Sequence, residues 1–137
     1  MADGVILQKI ESLDRCIQRI QDKTPASLEK LQHDFDLQDI ISVNLERAIQ
    51  ISVDMAMVII SEEYRPVPAT MKEAFAELRA MKLISPALAQ RMQRAVGFRN
   101  ILVHAYRAID WKIVWDIITR HLHEFREFAA AAYSWAR

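Results

Sequence analysis

The chain has 137 residues, 52% of them apolar, and 18 basic side chains against 18 acidic ones, so its net charge is zero with the histidines neutral. That length suits one domain with a real core, expected over 1–137, and is too short for two. Glycine occurs only twice and proline four times, which excludes a many-stranded sheet with its hairpin turns, whereas the abundant Ala, Leu, Glu, Gln, Lys, Arg and Met predict an all-α fold.

In chain order, the apolar run Val5-Ile6-Leu7 is broken at once by Gln8 and Lys9, so no signal peptide is expected. Ile6, Ile10, Leu13, Ile17 and Ile20 recur at steps of four and three, one apolar stripe on a first helix. A single cysteine, Cys16, cannot form an internal disulfide, which suits a reducing cytoplasm. Thr24-Pro25 reads as a cap followed by a first-turn proline, opening a short segment around Leu28 and Leu31. Asp36-Leu37 starts a long second helix with a stripe of Ile41, Leu45, Ala48, Ser52, Met55 and Ile59. Further apolar residues on its other sides (Ile40, Val43, Ile49, Ile51, Val58) predict burial on more than one face. The stretch 40–60 has the length of a membrane span, but Asn44, Glu46, Arg47 and Asp54 make bilayer insertion prohibitive, and no membrane association is expected.

Arg65-Pro66-Val67-Pro68 breaks the chain, and Thr70-x-x-Glu73 is a capping box for a third helix. Ser85-Pro86 opens a fourth, with Leu88, Met92, Val96 and Val103 inside. Asp110 caps the fifth, where Val114, Ile118, His121, Leu122, Phe125, Phe128 and Ala132 form the buried stripe. These elements predict an antiparallel bundle of about five helices. So many multi-faced apolar helices in so small a chain suggest that part of their surface is hidden in a homodimer, which zero net charge does not oppose.

Charge is unevenly spread. From Leu78 to Ile109 there is no acid, while Arg79, Lys82, Arg91, Arg94, Arg99 and Arg107 contribute +6, leaving −6 for the remainder. A basic zone in a neutral protein suits a polyanionic partner docked on one face. Solvated arginines balanced by acids on neighbouring helices would give the same composition.

Within that zone, Arg99-Asn100-Ile101-Leu102-Val103-His104-Ala105-Tyr106 holds four polar groups suited to phosphate chemistry. Arg99 offers a planar fork of donors that stays charged at any working pH. His104 can gain and lose a proton near neutrality. Asn100, four residues before His104, shares its helix face and could fix the imidazole or bind a phosphate oxygen. Arg99 and His104 are about 140° apart around a straight helix and would not converge. Either the helix ends near Val103 and His104 swings back, or a two-fold dimer brings two copies of the motif to one cleft. With the helix ended and the chain extended, His104 and Tyr106 would point alike. Ile101, Leu102 and Val103 are expected to be buried. An Arg or His near a helix end also commonly caps carbonyls or meets the dipole.

This passage resembles the signature of the HEPN superfamily of helical nucleases, an Arg and a polar residue followed by a His four to six positions after the Arg. The longer form, Arg99-x4-His104-x-Tyr106, is similar to that of HepT toxins, encoded beside a minimal nucleotidyltransferase antitoxin. The likeness extends to the first helix (Lys9-Ile10, Cys16-Ile17, Arg19-Ile20). It also covers the second (Asp34-Phe35, Leu37-Gln38-Asp39, Asn44-Leu45, Arg47, Asp54). The resemblance implies a type II toxin that cleaves RNA without metal or cofactor, through attack of the ribose 2′-hydroxyl on the adjacent phosphate. His104 would serve as general base, general acid or both across two protomers, Arg99 would stabilise phosphate charge, and Asn100 would support them. The resemblance also implies that the antitoxin silences the toxin by transferring AMP onto Tyr106. Without that role, Tyr106 would be a structural residue covering the junction of the fourth and fifth helices.

Other polar residues have simpler readings. His121 and His123, two apart, should point to opposite sides and make poor joint metal ligands, and His33 is a surface or core histidine. Asn44 and Asp54 could support the site or be satisfied structural groups. Trp111, Trp115 and Trp135 should pack. The competing function is a non-catalytic helical subunit that binds nucleotide or RNA for a partner nucleotidyltransferase; it needs no proton transfer at His104.

Overall fold

A computed structural model describes residues 2–137 as helices joined by short connections, with no strand among the described residues. They are α1 (Ala2–Lys23), α2 (Leu28–His33), α3 (Phe35–Glu62), α4 (Met71–Ala80), α5 (Pro86–His104), α6 (Trp111–Asp116) and α7 (Leu122–Ala136). A 3₁₀ turn (Tyr106–Ala108) follows α5, and a π turn (Ile117–His121) joins α6 to α7 into one continuous run. The extra residue of the π turn shifts the buried face just enough for Val114 and Ile118 to line up with Leu122, Phe125, Phe128 and Ala132, all buried.

α1 packs against α3 and α7, and α4 packs against α5; α3 touches α4, α5 and α7, which makes it the central helix. Its stripe of Ile41, Leu45, Ala48, Ser52, Met55 and Ile59 is wholly buried, with the Ser52 hydroxyl donating to the Ala48 carbonyl at 2.9 Å. Ile6, Leu13, Ile17 and Ile20 of α1 meet that stripe in one continuous core, with Ile10 packed at its edge. Phe75 of α4 and Phe128 of α7, both fully buried, meet edge to face with ring centres 5.4 Å apart. Burial of α3 on other sides is incomplete, since Ile49 is buried but Val43 is 42% exposed. Val103, expected inside α5, is 40% exposed, and Leu102 takes the buried place.

The caps fall mostly where the sequence predicts. Ser85 and Asp110 accept the Leu88 and Lys112 amides at 3.1 and 3.0 Å. Thr70 accepts from the Glu73 amide at 3.1 Å, but Glu73 reaches back to the Ala69 amide, one residue beyond the expected partner. Two caps differ. The long helix begins at Phe35 rather than at Asp36-Leu37, because Asp34 accepts the Leu37 amide at 3.1 Å. Ser27, not Thr24, caps α2, while the Thr24 hydroxyl donates to the Ile20 carbonyl at 2.8 Å and closes α1.

α3 and α4 end alike, with Tyr64 (φ 56°) and Lys82 (φ 61°) in left-handed conformation. There the Arg65 and Leu83 amides return to the carbonyls of Ile60 and Leu78, a closure usually built with glycine. Among the described residues no helix is long and apolar enough to cross a membrane. Cys16 is buried, and burial raises its thiol pKa against the opposing pull of Arg47 and Arg15.

Candidate active site

Ser85 and Pro86 start α5, the burial of Leu88, Met92, Val96, Phe98 and Leu102 fixes its rotation, and the helix runs through His104 before ending. The Ala105 amide closes it by donating to the Ile101 carbonyl at 3.0 Å. The helix therefore does not stop at Val103, and His104 is not swung back toward Arg99. As the last helical residue it keeps its place about 140° around the axis from Arg99. Nor is the following chain extended, because Ala105 (φ −136°, ψ 49°) leads directly into the 3₁₀ turn that carries Tyr106. Of the three apolar residues between Arg99 and His104, only Leu102 is buried; Ile101 and Val103 are 39% and 40% exposed.

Within this chain the four motif residues share one end of α5, but Arg99 and His104 do not share a face. Arg99 is partly buried, and its Nε is sealed from solvent with no hydrogen-bond partner among the described residues. A donor left this way is free to meet an incoming acceptor. Asn100 and His104 are exposed on the same helix face, and neither caps a helix end through its side chain. Of the six cations in the acid-free segment, only Arg91 is ion-paired among the described residues, to Glu124 at 3.2 Å. Neighbouring acids therefore do not balance this zone.

Tyr106 connects the motif to the rest of the fold. Its ring meets Trp111 edge to face at 6.4 Å, across the junction of α5 and α6, and its hydroxyl donates to Asp39 Oδ1 of α3 at 2.8 Å. Burial and the Asp39 carboxylate raise the phenol's pKa, with Ser42 pulling weakly the other way. Ser42 itself is 5% exposed, and its Oγ completes no hydrogen bond among the described residues. Asp39 also belongs to a groove of about 690 Å³ between α1 and α3, where Arg15, Arg19 and Arg47 stand over Cys16, Ile40 and Val43.

Asp39, Ser42 and these three arginines were not singled out as site residues in the sequence. The available signal was a helical one: Asp39, Val43 and Arg47 are spaced by four, as are Arg15 and Arg19, so each set lines one face of its helix.

The remaining candidates are structural. Asn44 donates to the Ile40 carbonyl at 2.8 Å, Gln50 donates to Asp54 at 2.9 Å, and His33 Nδ1 lies 2.8 Å from the Glu29 carbonyl. His121 and His123 do not point apart as expected, since the π turn brings their rings into near-parallel stacking at 6.5 Å. His121 is instead bridged between Asp116 (3.1 Å) and Glu124 (2.8 Å), and no cluster that could hold a metal ion exists among the described residues. All three tryptophans pack against the core, with Trp135 Nε1 donating to Glu63 at 2.7 Å.

Comparison with known proteins bears on this geometry. Residues 13–132 match the model of the family described as ribonuclease HepT-like. The chain is 32% identical over 126 residues to the mRNA nuclease HepT of Shewanella oneidensis, covering 92% of this chain and 94% of that one. It is 28% identical over 121 residues to the tRNA nuclease HepT of Aphanizomenon flos-aquae, covering 88% and 82%. Among solved structures, it superposes on the tri-AMPylated HEPN toxin of Shewanella oneidensis in complex with its MNT antitoxin. That match has a TM-score of 0.89 at 31% identity and covers 95% of this chain and 97% of the other. A toxin–antitoxin complex with AMP-PNP matches with a TM-score of 0.88 at 30% identity, over 93% and 97%.

Proposed function

The chain belongs to the ribonuclease HepT-like family, and we propose that it is an RNA-cleaving toxin acting through Arg99 and His104 in a cleft between two copies of itself. Its partner is a nucleotidyltransferase antitoxin that silences it by transferring AMP onto Tyr106. The observation that carries this reading is the state of α5's last turn. An arginine with an unsatisfied buried donor, an unengaged exposed histidine and a tyrosine stand together in a zone whose positive charge is mostly unpaired.

The chemistry follows from these groups. The imidazole of His104 from one protomer takes the proton of a ribose 2′-hydroxyl as its oxygen bonds to the adjacent phosphorus. The bond from phosphorus to the 5′-oxygen breaks, and His104 of the second protomer supplies the proton that this oxygen needs. The products are a 2′,3′-cyclic phosphate and a 5′-hydroxyl. Arg99 neutralises charge gathering on the non-bridging oxygens, the kind of preorganised electrostatic aid that commonly amounts to about 10²- to 10³-fold. Asn100 holds the imidazole's orientation from one turn earlier. Base, acid and counter-charge all come from side chains, so the reaction uses no metal, and DNA, which lacks the 2′-hydroxyl, is not a substrate.

Two features support the shared cleft. A base and an acid on opposite sides of the phosphorus require two imidazoles, and each protomer brings one His104 to this end of α5. Ile101 and Val103, exposed beside them, are apolar surface that a second copy would cover. AMP on Tyr106 would introduce a bulky phosphodiester at the mouth of that cleft and engage the cations that RNA needs.

Expression of the chain alone, without its antitoxin, is the direct test. Growth arrest is expected for the native chain and its relief for both Arg99→Ala and His104→Ala, with helical content preserved. Undiminished RNA cleavage by His104→Ala would instead leave a non-catalytic nucleotide- or RNA-binding subunit.

A further inference from the structure

Tyr106 Oη lies 2.8 Å from Asp39 Oδ1, and no other hydrogen bond or ion pair engages that carboxylate among the described residues. The two residues are 67 positions apart, on α3 and on the turn after α5, so the tertiary fold creates this contact rather than local sequence. Both side chains are exposed, which means that the bond contributes little to stability and that a reagent can reach it. Burial and the neighbouring carboxylate also hold the phenol above its ordinary pKa, so it is protonated at neutral pH. A tyrosine in that state is a poor nucleophile until something removes its proton.

We propose that Asp39 is the general base for nucleotidyl transfer onto Tyr106, so that the toxin itself supplies a catalytic group for its own silencing. The inference rests on the reading above that Tyr106 accepts AMP. The co-reactant is a nucleoside triphosphate delivered by the partner nucleotidyltransferase. The phenol oxygen bonds to the α-phosphorus while its proton passes to Asp39 Oδ1. The bond from that phosphorus to the β-phosphate oxygen breaks, and pyrophosphate departs with the electron pair. Geometry satisfies the first requirement of a base, hydrogen-bond reach of the proton it removes. Ser42, whose Oγ has no hydrogen-bond partner among the described residues, acts on this phenol in the direction of the phenolate.

The test uses the full chain, purified antitoxin and ATP, with AMP incorporation at Tyr106 followed by intact mass and peptide mapping between pH 6 and 9. Asp39→Asn keeps an oxygen that can accept the phenol's hydrogen bond but cannot take its proton, so it separates holding from catalysis. Transfer to this variant is expected to slow by about 10²- to 10⁴-fold. Its rate should climb about tenfold per pH unit as phenolate forms, a slope that the native chain should lack. Asp39→Glu restores a carboxylate and, with it, part of the rate and the native profile. RNA cleavage by the unmodified Asp39→Asn chain should match the native chain. An Asp39→Asn rate within threefold of native with the same pH profile overturns the proposal. So does loss of RNA cleavage in that variant, or the amide's pH slope in Asp39→Glu. A native chain that takes no AMP at Tyr106 removes the silencing reading itself, a result distinguishable because it appears before any variant is compared.

Discussion

If each cleft needs His104 from both protomers, then mixing native and His104→Ala chains should depress cleavage more than dilution does. The magnitude follows from pairing. Each protomer carries one His104, and removal of the 2′-hydroxyl proton and delivery of a proton to the 5′-oxygen occur on opposite sides of the phosphorus, so each working cleft needs two native chains. Random association of equal amounts makes about a quarter of the dimers fully native, and a ninefold excess of variant makes about 1% native against about 10% of protomers. The assay is cleavage of a fluorogenic RNA after co-refolding differently tagged chains, with tandem capture verifying mixed dimers. Activity should follow the square of the native fraction. Activity linear in that fraction, with mixed dimers present, would refute the shared cleft and restore a self-contained protomer.

Further consequences concern stability and charge. Arg99→Met removes a buried donor with no partner among the described residues, so cleavage should vanish while chemical denaturation reports a stability equal to native or about 1 kcal/mol higher; a loss of that size would mean that Arg99 holds the fold. Arg99→Lys should lose most activity, because a point charge does not reproduce the planar fork, and retention of native cleavage would count against bidentate phosphate contact. Tyr64, at φ 56° and 96% exposed, should gain about 1 kcal/mol when replaced by glycine, and a lower melting temperature would contradict the cost assigned to its backbone. Phe128→Ala empties a fully buried site against Phe75 and should cost about 3 to 5 kcal/mol by urea unfolding. Burial keeps the Cys16 thiol protonated to higher pH in the folded chain than in the unfolded one, so this contribution is complete below the unfolded thiol's pKa, about 8.5, and fades as pH rises through the folded value. The urea midpoint should therefore fall between pH 8 and 10, and Cys16→Ala should flatten that part of the decline; a midpoint rising with pH has the wrong sign.

Most of the bundle was legible because its signals are local. Ser85-Pro86, Asp110 and Thr70-x-x-Glu73 act within one turn, and the α3 stripe needs only the helical period to be read. Errors arose where a tertiary or sub-helical choice decided between equivalent local options. Asp34 and Asp36 can both cap the start of α3, and Asp34 wins because starting there lets Gln38 turn inward to the Leu31 carbonyl at 2.9 Å. Val103 and Leu102 are both apolar, and the packing phase of α5 alone decides which is covered. The π turn has no composition of its own. One added residue reconciles the spacing of Val114 and Ile118 with that of Leu122 and Phe125, and the same addition stacks two histidines that an ideal helix would separate.

The candidate site was proposed for a different reason, the likeness of Arg99-x4-His104-x-Tyr106 to a family signature. A residue chosen for packing is explained by its neighbours, whereas among the described residues Arg99, His104 and most of the basic zone have no partner that accounts for them. Their presence costs the fold something, as the orphaned Nε of Arg99 illustrates, and such residues stand out in a sequence as charges without balancing acids. Asp39 was noted only as part of the second-helix likeness and given no role, because its partner Tyr106 lies 67 positions away in the chain. Arg99 and His104 have no hydrogen-bond or ion-pair partner among the described residues, whereas Tyr106 and Asp39 are already joined at 2.8 Å. On the proposed reading, the same corner of the protein therefore holds two chemistries at different stages of assembly: cleavage would wait for a second protomer, while the silencing pair is formed within one chain.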